Sequence, residues 1–163
     1  MKKKLFIFAS LAYLATSSFA QNSETRELSS FTKIDIQSFA KVYLKQESVQ
    51  SVKITSNDGL QRVETDVKNQ TLFINGTPNA ELHIGAPHLD KLMVSGKGEF
   101  IGETPIQSDN LLLDISGDGK MDLDVDAKDL RINISGLGKI SLRGKADICS
   151  KVIRYINHTF TKT

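Results

Sequence analysis

Asp122, Asp124 and Asp126 stand at alternate positions, so an extended strand would carry their three carboxylates on one face, where a hard cation such as Ca²⁺ could sit. The known calcium motifs do not fit. An EF-hand loop beginning at Asp122 requires Gly at its sixth position and Glu at its twelfth, and this chain has Ala127 and Asn133 there. A calcium β-roll requires Asp two residues after its last glycine, but Gly119 is followed by Lys120 and Met121, with Asp122 one place late. The three aspartates are therefore read as a solvated strand face. His83 and His88 do not have the i, i+4 spacing of a helical zinc pair, and His83 should point outward between inward Leu82 and Ile84. Ser95, Ser116 and Ser135 each precede a Gly-x-Gly, but none is a nucleophile elbow: Met93, Asp114 and Asn133 stand where that motif needs glycine. Neither the dinucleotide nor the P-loop glycine pattern occurs. Asp124 with Arg143 imitates the carboxylate and cation of β-helical polysaccharide enzymes, but a salt pair on a flat face without a cleft does not make a catalytic site. No catalytic, cofactor-binding or metal-binding residue is assigned, and neither an enzyme nor a cofactor is expected.

The elements that position these residues are strands. Ile34 and Ile36 alternate with Asp35, Val42 and Leu44 with Tyr43, and Val52 and Ile54 with Lys53, the period of half-buried β-structure. Leu60, Val63 and Val67 sit at helical spacing and predict one brief helical turn over Leu60 to Val67, before a strand Thr71 to Ile74. From Leu92 one unit is written three times: Leu92-Met93-Val94-Ser95-Gly96-Lys97-Gly98, Leu113-Asp114-Ile115-Ser116-Gly117-Asp118-Gly119 and Ile132-Asn133-Ile134-Ser135-Gly136-Leu137-Gly138. Its serines are 21 and then 19 positions apart. A repeat of that length with period-two strands predicts an all-β solenoid, parallel and β-helix-like, in which Gly-x-Gly makes the corners through positive φ and the lack of a Cβ. An antiparallel meander or sandwich is the alternative, because Gly-x-Gly also suits hairpin turns. In the solenoid a shift of 19 places Asp122, Asp124 and Asp126 beside Ser141, Arg143 and Lys145, so that two of the three carboxylates face cations. Glu99, Lys120 and Lys139 form another column. Met121, Leu123 and Val125 point inward, followed by Ile140 and Leu142. Such lateral pairs serve register more than stability.

The first twenty residues set the compartment. Lys2, Lys3 and Lys4, the apolar stretch Leu5 to Leu14, and Ser18-Phe19-Ala20 have the layout of a signal peptide cleaved after Ala20. The apolar stretch is too short to span a hydrocarbon core, and no later segment is apolar enough to do so. Without the three leader lysines, the 21 basic residues fall to 18 against 19 acidic ones, which gives no reason to expect nucleic acid or a polybasic membrane contact. Cys149 is the only cysteine and excludes an intramolecular disulfide framework.

Phe31-Thr32-Lys33-Ile34-Asp35-Ile36, Val42-Tyr43-Leu44-Lys45-Gln46, Val52-Lys53-Ile54, Val63-Glu64-Thr65-Asp66-Val67, Thr71-Leu72-Phe73-Ile74, Ala86-Pro87-His88-Leu89 and the Ser-Gly-x-Gly units together resemble the putative auto-transporter adhesin head GIN domain family of bacterial envelope proteins. The resemblance covers about residues 31 to 145 and implies a right-handed β-helix-like fold and an exported location. It implies adhesion by name only and carries no ligand-binding residues with it. Ser38, Glu47, Lys97, Asp118 and Leu137 stand where the family more often has Gly or Ser. A further corner due near residues 154 to 156 is replaced by Arg154-Tyr155-Ile156.

The expected organisation is a signal peptide over 1–20, a linker over 21–30, a β-solenoid domain over 31–147, and an atypical tail over 148–163, read as a truncated or frame-shifted end with an open strand edge. The expected function is an exported, non-catalytic envelope or secreted module that binds a surface protein or glycan. A structural or sensing envelope component is the alternative, and a carbohydrate-active enzyme the remote one. Self-association through the uncapped end is the other partner expectation.

Overall fold

The structure is a computed structural model and describes residues 22–154. The expected signal peptide, the first residue of the linker, and the tail beyond Arg154 lie outside the described residues. The class is all-β: strands take up 65% of the described residues, and the sheet curls into a half-barrel. Twelve strands follow one another: β1 (Ser23–Arg26), β2 (Lys33–Ile36), β3 (Lys41–Gln46), β4 (Ser51–Ser56), β5 (Glu64–Lys68), β6 (Thr71–Asn75), β7 (Ala80–Ala86), β8 (Lys91–Val94), β9 (Glu99–Gly102), β10 (Ile106–Ile115), β11 (Lys120–Ser135) and β12 (Lys139–Arg154).

One flank of the curl is a parallel ladder in the order β6, β2, β8, β10, and the other a parallel ladder in the order β7, β3, β9, β11. β11 serves both flanks, pairing with β9 through Lys120–Asp122 and with β10 through residues 125–134. β12 follows β11 along nearly its whole length, again in parallel. Antiparallel pairing occurs only towards the N-terminal end among the described residues, where β4 lies on β7, β1 on β4 and β5 on β6.

The spacing of the repeats sets the register. Asp114 stands beside Asn133 and Met93 beside Asp114, the shifts of 19 and 21 read from the serines. Because side chains alternate across a strand, these shifts stack apolar residues into columns. Leu72, Ile34, Leu92, Leu113 and Ile132 form one inward column. Leu82, Val42, Phe100, Met121 and Ile140 form another.

The corners are dictated by close approach more than by handed backbone. Of the six corner glycines only Gly136 has a positive φ, at 109°, which corrects the positive-φ rationale for the other five. A Cβ on Gly96 would lie 2.6 Å from the Ser38 carbonyl oxygen, and one on Gly117 would lie 2.5 Å from that of Gly96. The second glycine of each corner meets a core side chain instead: Ile36 at Gly98, Val94 at Gly119 and Ile115 at Gly138. Each turn therefore rests on the backbone and core of the turn beneath it, leaving no volume for a methyl group.

Two N-terminal features differ from expectation. The helical turn foreseen over Leu60 to Val67 is a single 3-10 turn, Leu60–Arg62, and the chain then enters β5. Val67 stands beside Leu72 in a hairpin closed by Asn69 and Gln70, both with positive φ, so pairing with β6 overrides the apolar spacing. The second difference is in the order of the strands. Corner residues Ser38 to Ala40 lie directly beneath Gly96 and Gly98, so that between β2 and β3 Ser38 and Ala40 occupy the glycine places. The β2–β3 pair lies between β6–β7 and β8–β9 in the sheet, not at its edge.

Candidate functional site

One extended surface is the outward side of β7, β3, β9, β11 and β12. Its first column reads Glu81, Lys41, Glu99, Lys120, Lys139, alternating in sign until the last two. Lys41 Nζ lies 3.8 Å from Glu99 Oε2. The second column reads Lys53, His83, Tyr43, Ile101, Asp122, Ser141.

The three aspartates stand on this face in the register expected of them. Asp124 lies beside Arg143, Asp126 beside Lys145 and Asp122 beside Ser141. Arg143 Nε donates to Asp124 Oδ1 at 3.1 Å, and its Nη1 lies 3.0 Å from Asp122 Oδ1. Lys145 Nζ lies 3.3 Å from Asp126 Oδ2. All three carboxylates are thus paired, one more than the sequence indicated, because the guanidinium fork spans two positions of the neighbouring strand. Asp122 and then Asp124 raise the pKa of Arg143 by their charge, so the pairing persists wherever the carboxylates are ionised. Among the described residues, no group of three or more His, Cys, Asp or Glu is disposed to hold a metal.

His83 points outward between buried Leu82 and Ile84. Its ring stacks on Tyr43 with centroids 4.7 Å apart and planes 8° apart, and its Nδ1 lies 3.7 Å from Glu103. Side chains stand roughly perpendicular to a sheet, so this stack runs along the ladder and presents ring edges to solvent. His88 lies apart from it, paired through Nε2 with Asp90 at 3.0 Å.

The repeat serines are structural where their partners are seen. Ser95 Oγ donates to Asp35 Oδ1 at 2.9 Å, and the Gln37 amide donates to the other oxygen at 3.3 Å. Asp35, only 7% exposed, is a buried carboxylate that pattern reading passed over, because Ile34-Asp35-Ile36 makes it a solvent-side residue. Its signal lay in Ser95, two positions beyond its register neighbour Met93. Ser135 Oγ donates to the Ile115 carbonyl at 3.5 Å.

A shallow groove of about 500 Å³ across β10, β11 and β12 is lined by His88, Asp109, Asp126, Lys128, Lys145 and Asp147. Lys128 lies 2.6 Å from Asp109 and holds its carboxyl below the usual range, chiefly by hydrogen bonding. With Asp126 also paired, two of its three carboxylates are occupied in ion pairs rather than poised as acid and base.

The two ends of the stack differ in kind. At the N-terminal end, Arg26 of β1 donates through Nη1 to the Val63 carbonyl at 2.7 Å and to Thr65 Oγ1 at 2.9 Å, joining the first and last strands of the sheet path. At the C-terminal end, the outer edge of β12 has no strand partner among the described residues, and Cys149 is exposed there. Ile148 is 63% exposed and Val152 46%. The inward column that runs through Leu113 and Ile132 ends on Lys151.

The model of the family described as putative auto-transporter adhesin, head GIN domain, matches residues 30–153. No curated protein matches the chain. A crystal structure of a putative adhesin from Bacteroides fragilis is similar at 22% identity and a TM-score of 0.72, over 78% of this chain and 64% of that one. One of a putative lipid binding protein from Parabacteroides distasonis is similar at 21% identity and a TM-score of 0.69, over 82% and 63%. A putative adhesin from the same species is similar at 18% identity and a TM-score of 0.60, over 80% and 68%. At these identities the likeness is one of fold. The chain spans less than two thirds of the length of the first two.

Proposed function

Since this chain belongs to the family described as putative auto-transporter adhesin, head GIN domain, we propose that it is an exported, non-catalytic, adhesin-like module that binds a surface protein or glycan through its outward strand face. One observation carries the reading: Asp122 and Asp124 are neutralised by Arg143, and Asp126 by Lys145, across an outward strand face. Such a face suits broad, weak and multivalent contact. The parallel ladders on both flanks support a right-handed, β-helix-like solenoid, the hand of nearly all parallel crossovers. The leader Lys2 to Ala20 supports export to the periplasm, cell surface or medium. No helix among the described residues is long and apolar enough to cross a membrane.

The test is an array of surface glycans and surface proteins probed with the labelled chain. Binding that is saturable, strengthened by clustering the chain on a bead, and lost on Tyr43→Ala is the expected result. Silence across the array, or release of reducing ends from a polysaccharide that Asp124→Ala abolishes, overturns it.

A further inference from the structure

The free edge of β12 is long, charged and complementary to one kind of occupant. The strand has 16 residues, and its outer backbone groups have no strand partner among the described residues. An unpaired edge of this length is a template for strand addition. β12 carries five cations against the single acid Asp147; Arg143 and Lys145 are paired with the aspartates of β11, and Lys139, Lys151 and Arg154 have no ion pair among the described residues.

That charge selects among occupants. A second copy presenting its own β12 would set cations against cations, which destabilises cross-strand pairing. Residues 155–163 contain Lys162 and no acid, so they supply no complement. The inner edge of β12 shows what does fit. There it is held by β11, whose Asp122, Asp124 and Asp126 alternate with Met121, Leu123 and Val125 and pair with Arg143 and Lys145. The column Glu81, Lys41, Glu99, Lys120 alternates in sign and then breaks at Lys139, where the next strand outward would restore it with an acid. On the inward side Ile140 and Leu142 are only partly covered, and apolar residues at alternate positions would complete the cover.

We propose that the outer edge of β12 receives, by strand addition, an extended acidic segment of a partner protein in which acidic and apolar residues alternate as in Met121–Asp126. This contact is separate from the one assigned to the outward face.

The experiment titrates the chain into a fluorescent synthetic peptide of residues 121–130, which has four Asp and one Lys, and reads anisotropy. Saturable binding is expected, weakened threefold or more between about 0.05 and about 0.5 M salt, because the contact is charged and exposed. Deuterium exchange of the wild-type chain should slow over residues 139–154 alone when peptide is added. The double variant Lys151→Glu with Arg154→Glu should bind at least about fivefold more weakly, with an unchanged far-ultraviolet spectrum and unfolding midpoint. The proposal is overturned if the peptide does not bind, if a peptide with all four Asp replaced by Lys binds equally well, if protection falls outside β12, or if the chain forms a dimer that excludes the peptide. Should the double variant misfold, the charge-reversed peptide and the exchange map still decide on the wild-type protein. No surface partner is involved, so failure here leaves the array result for the outward face untouched.

Discussion

At its N-terminal end the sheet is turned back on itself by antiparallel strands β1, β4 and β5 and tied across by Arg26, whereas among the described residues the outer edge of β12 has no strand partner and much of its inward side has no cover. The difference lies in chain direction as much as in composition. A parallel strand must return by a crossover connection before it can extend a ladder, whereas antiparallel strands can close its edge, as β4 does on β7 and β5 on β6. Ile54 on β4 is fully buried for that reason, and Ile140, which has the same side chain on β12, is only partly covered.

The sharpest way to break this comparison is to make the same truncation at both ends. Ile54→Ala should cost about 2–5 kcal/mol of unfolding free energy in a denaturant titration, since it opens a cavity in a closed core. Ile140→Ala should cost less than about 1.5 kcal/mol, because part of its surface is already in water. Equal losses would mean that the C-terminal end is covered in solution.

A smaller effect separates the two arginines. Arg26→Ala removes hydrogen bonds to Val63, Leu60 and Thr65 at the closing seam and should cost roughly 1–3 kcal/mol. Arg143→Ala removes ion pairs on an open face and should leave the unfolding midpoint unchanged.

The register of the last coils was legible because their glycines and alternating aliphatics survive intact: Asp124 lies beside Arg143 as the spacing of Ser116 and Ser135 requires. The order of the first coils was not. Ser38 and Ala40 replace the corner glycines of one coil, and Thr77-Pro78-Asn79 fills the corner of another, so neither stands out as a copy of the unit. The spacing of Leu60, Val63 and Val67 pointed to a helix because the pairing of Val67 with Leu72 across a hairpin leaves no mark on local periodicity. The candidate site was legible residue by residue and illegible as a whole, since whether three carboxylates sit idle or paired depends on which strand lies alongside.

The smallest expected effect is on acid sensitivity. Asp58, just beyond β4, accepts from the Asn79 amide at 3.1 Å, and this bond, then Thr77, holds its carboxyl below the usual carboxylate range. Asp66 on β5 is likewise depressed, first by its hydrogen bond to Lys68. A carboxyl depressed in the folded state stabilises the fold above its unfolded pKa and ceases to do so as pH falls through the folded one. Unfolding midpoints measured from about pH 5 down to about pH 2 should therefore fall less steeply in Asp58→Asn than in wild type. An identical slope would place the acid-sensitive contacts elsewhere.

The position of the β2–β3 coil between two coils made later in the chain has a consequence for how the molecule comes into being. As the chain emerges N-terminus first, residues 33–46 appear early with both strand edges bare, and their neighbours on the two sides arrive only with residues 71–86 and 91–102. The stack cannot grow outward one coil at a time from its first coil. Its centre has to wait, and during that interval an unprotected pair of strands is exposed to whatever else is in reach.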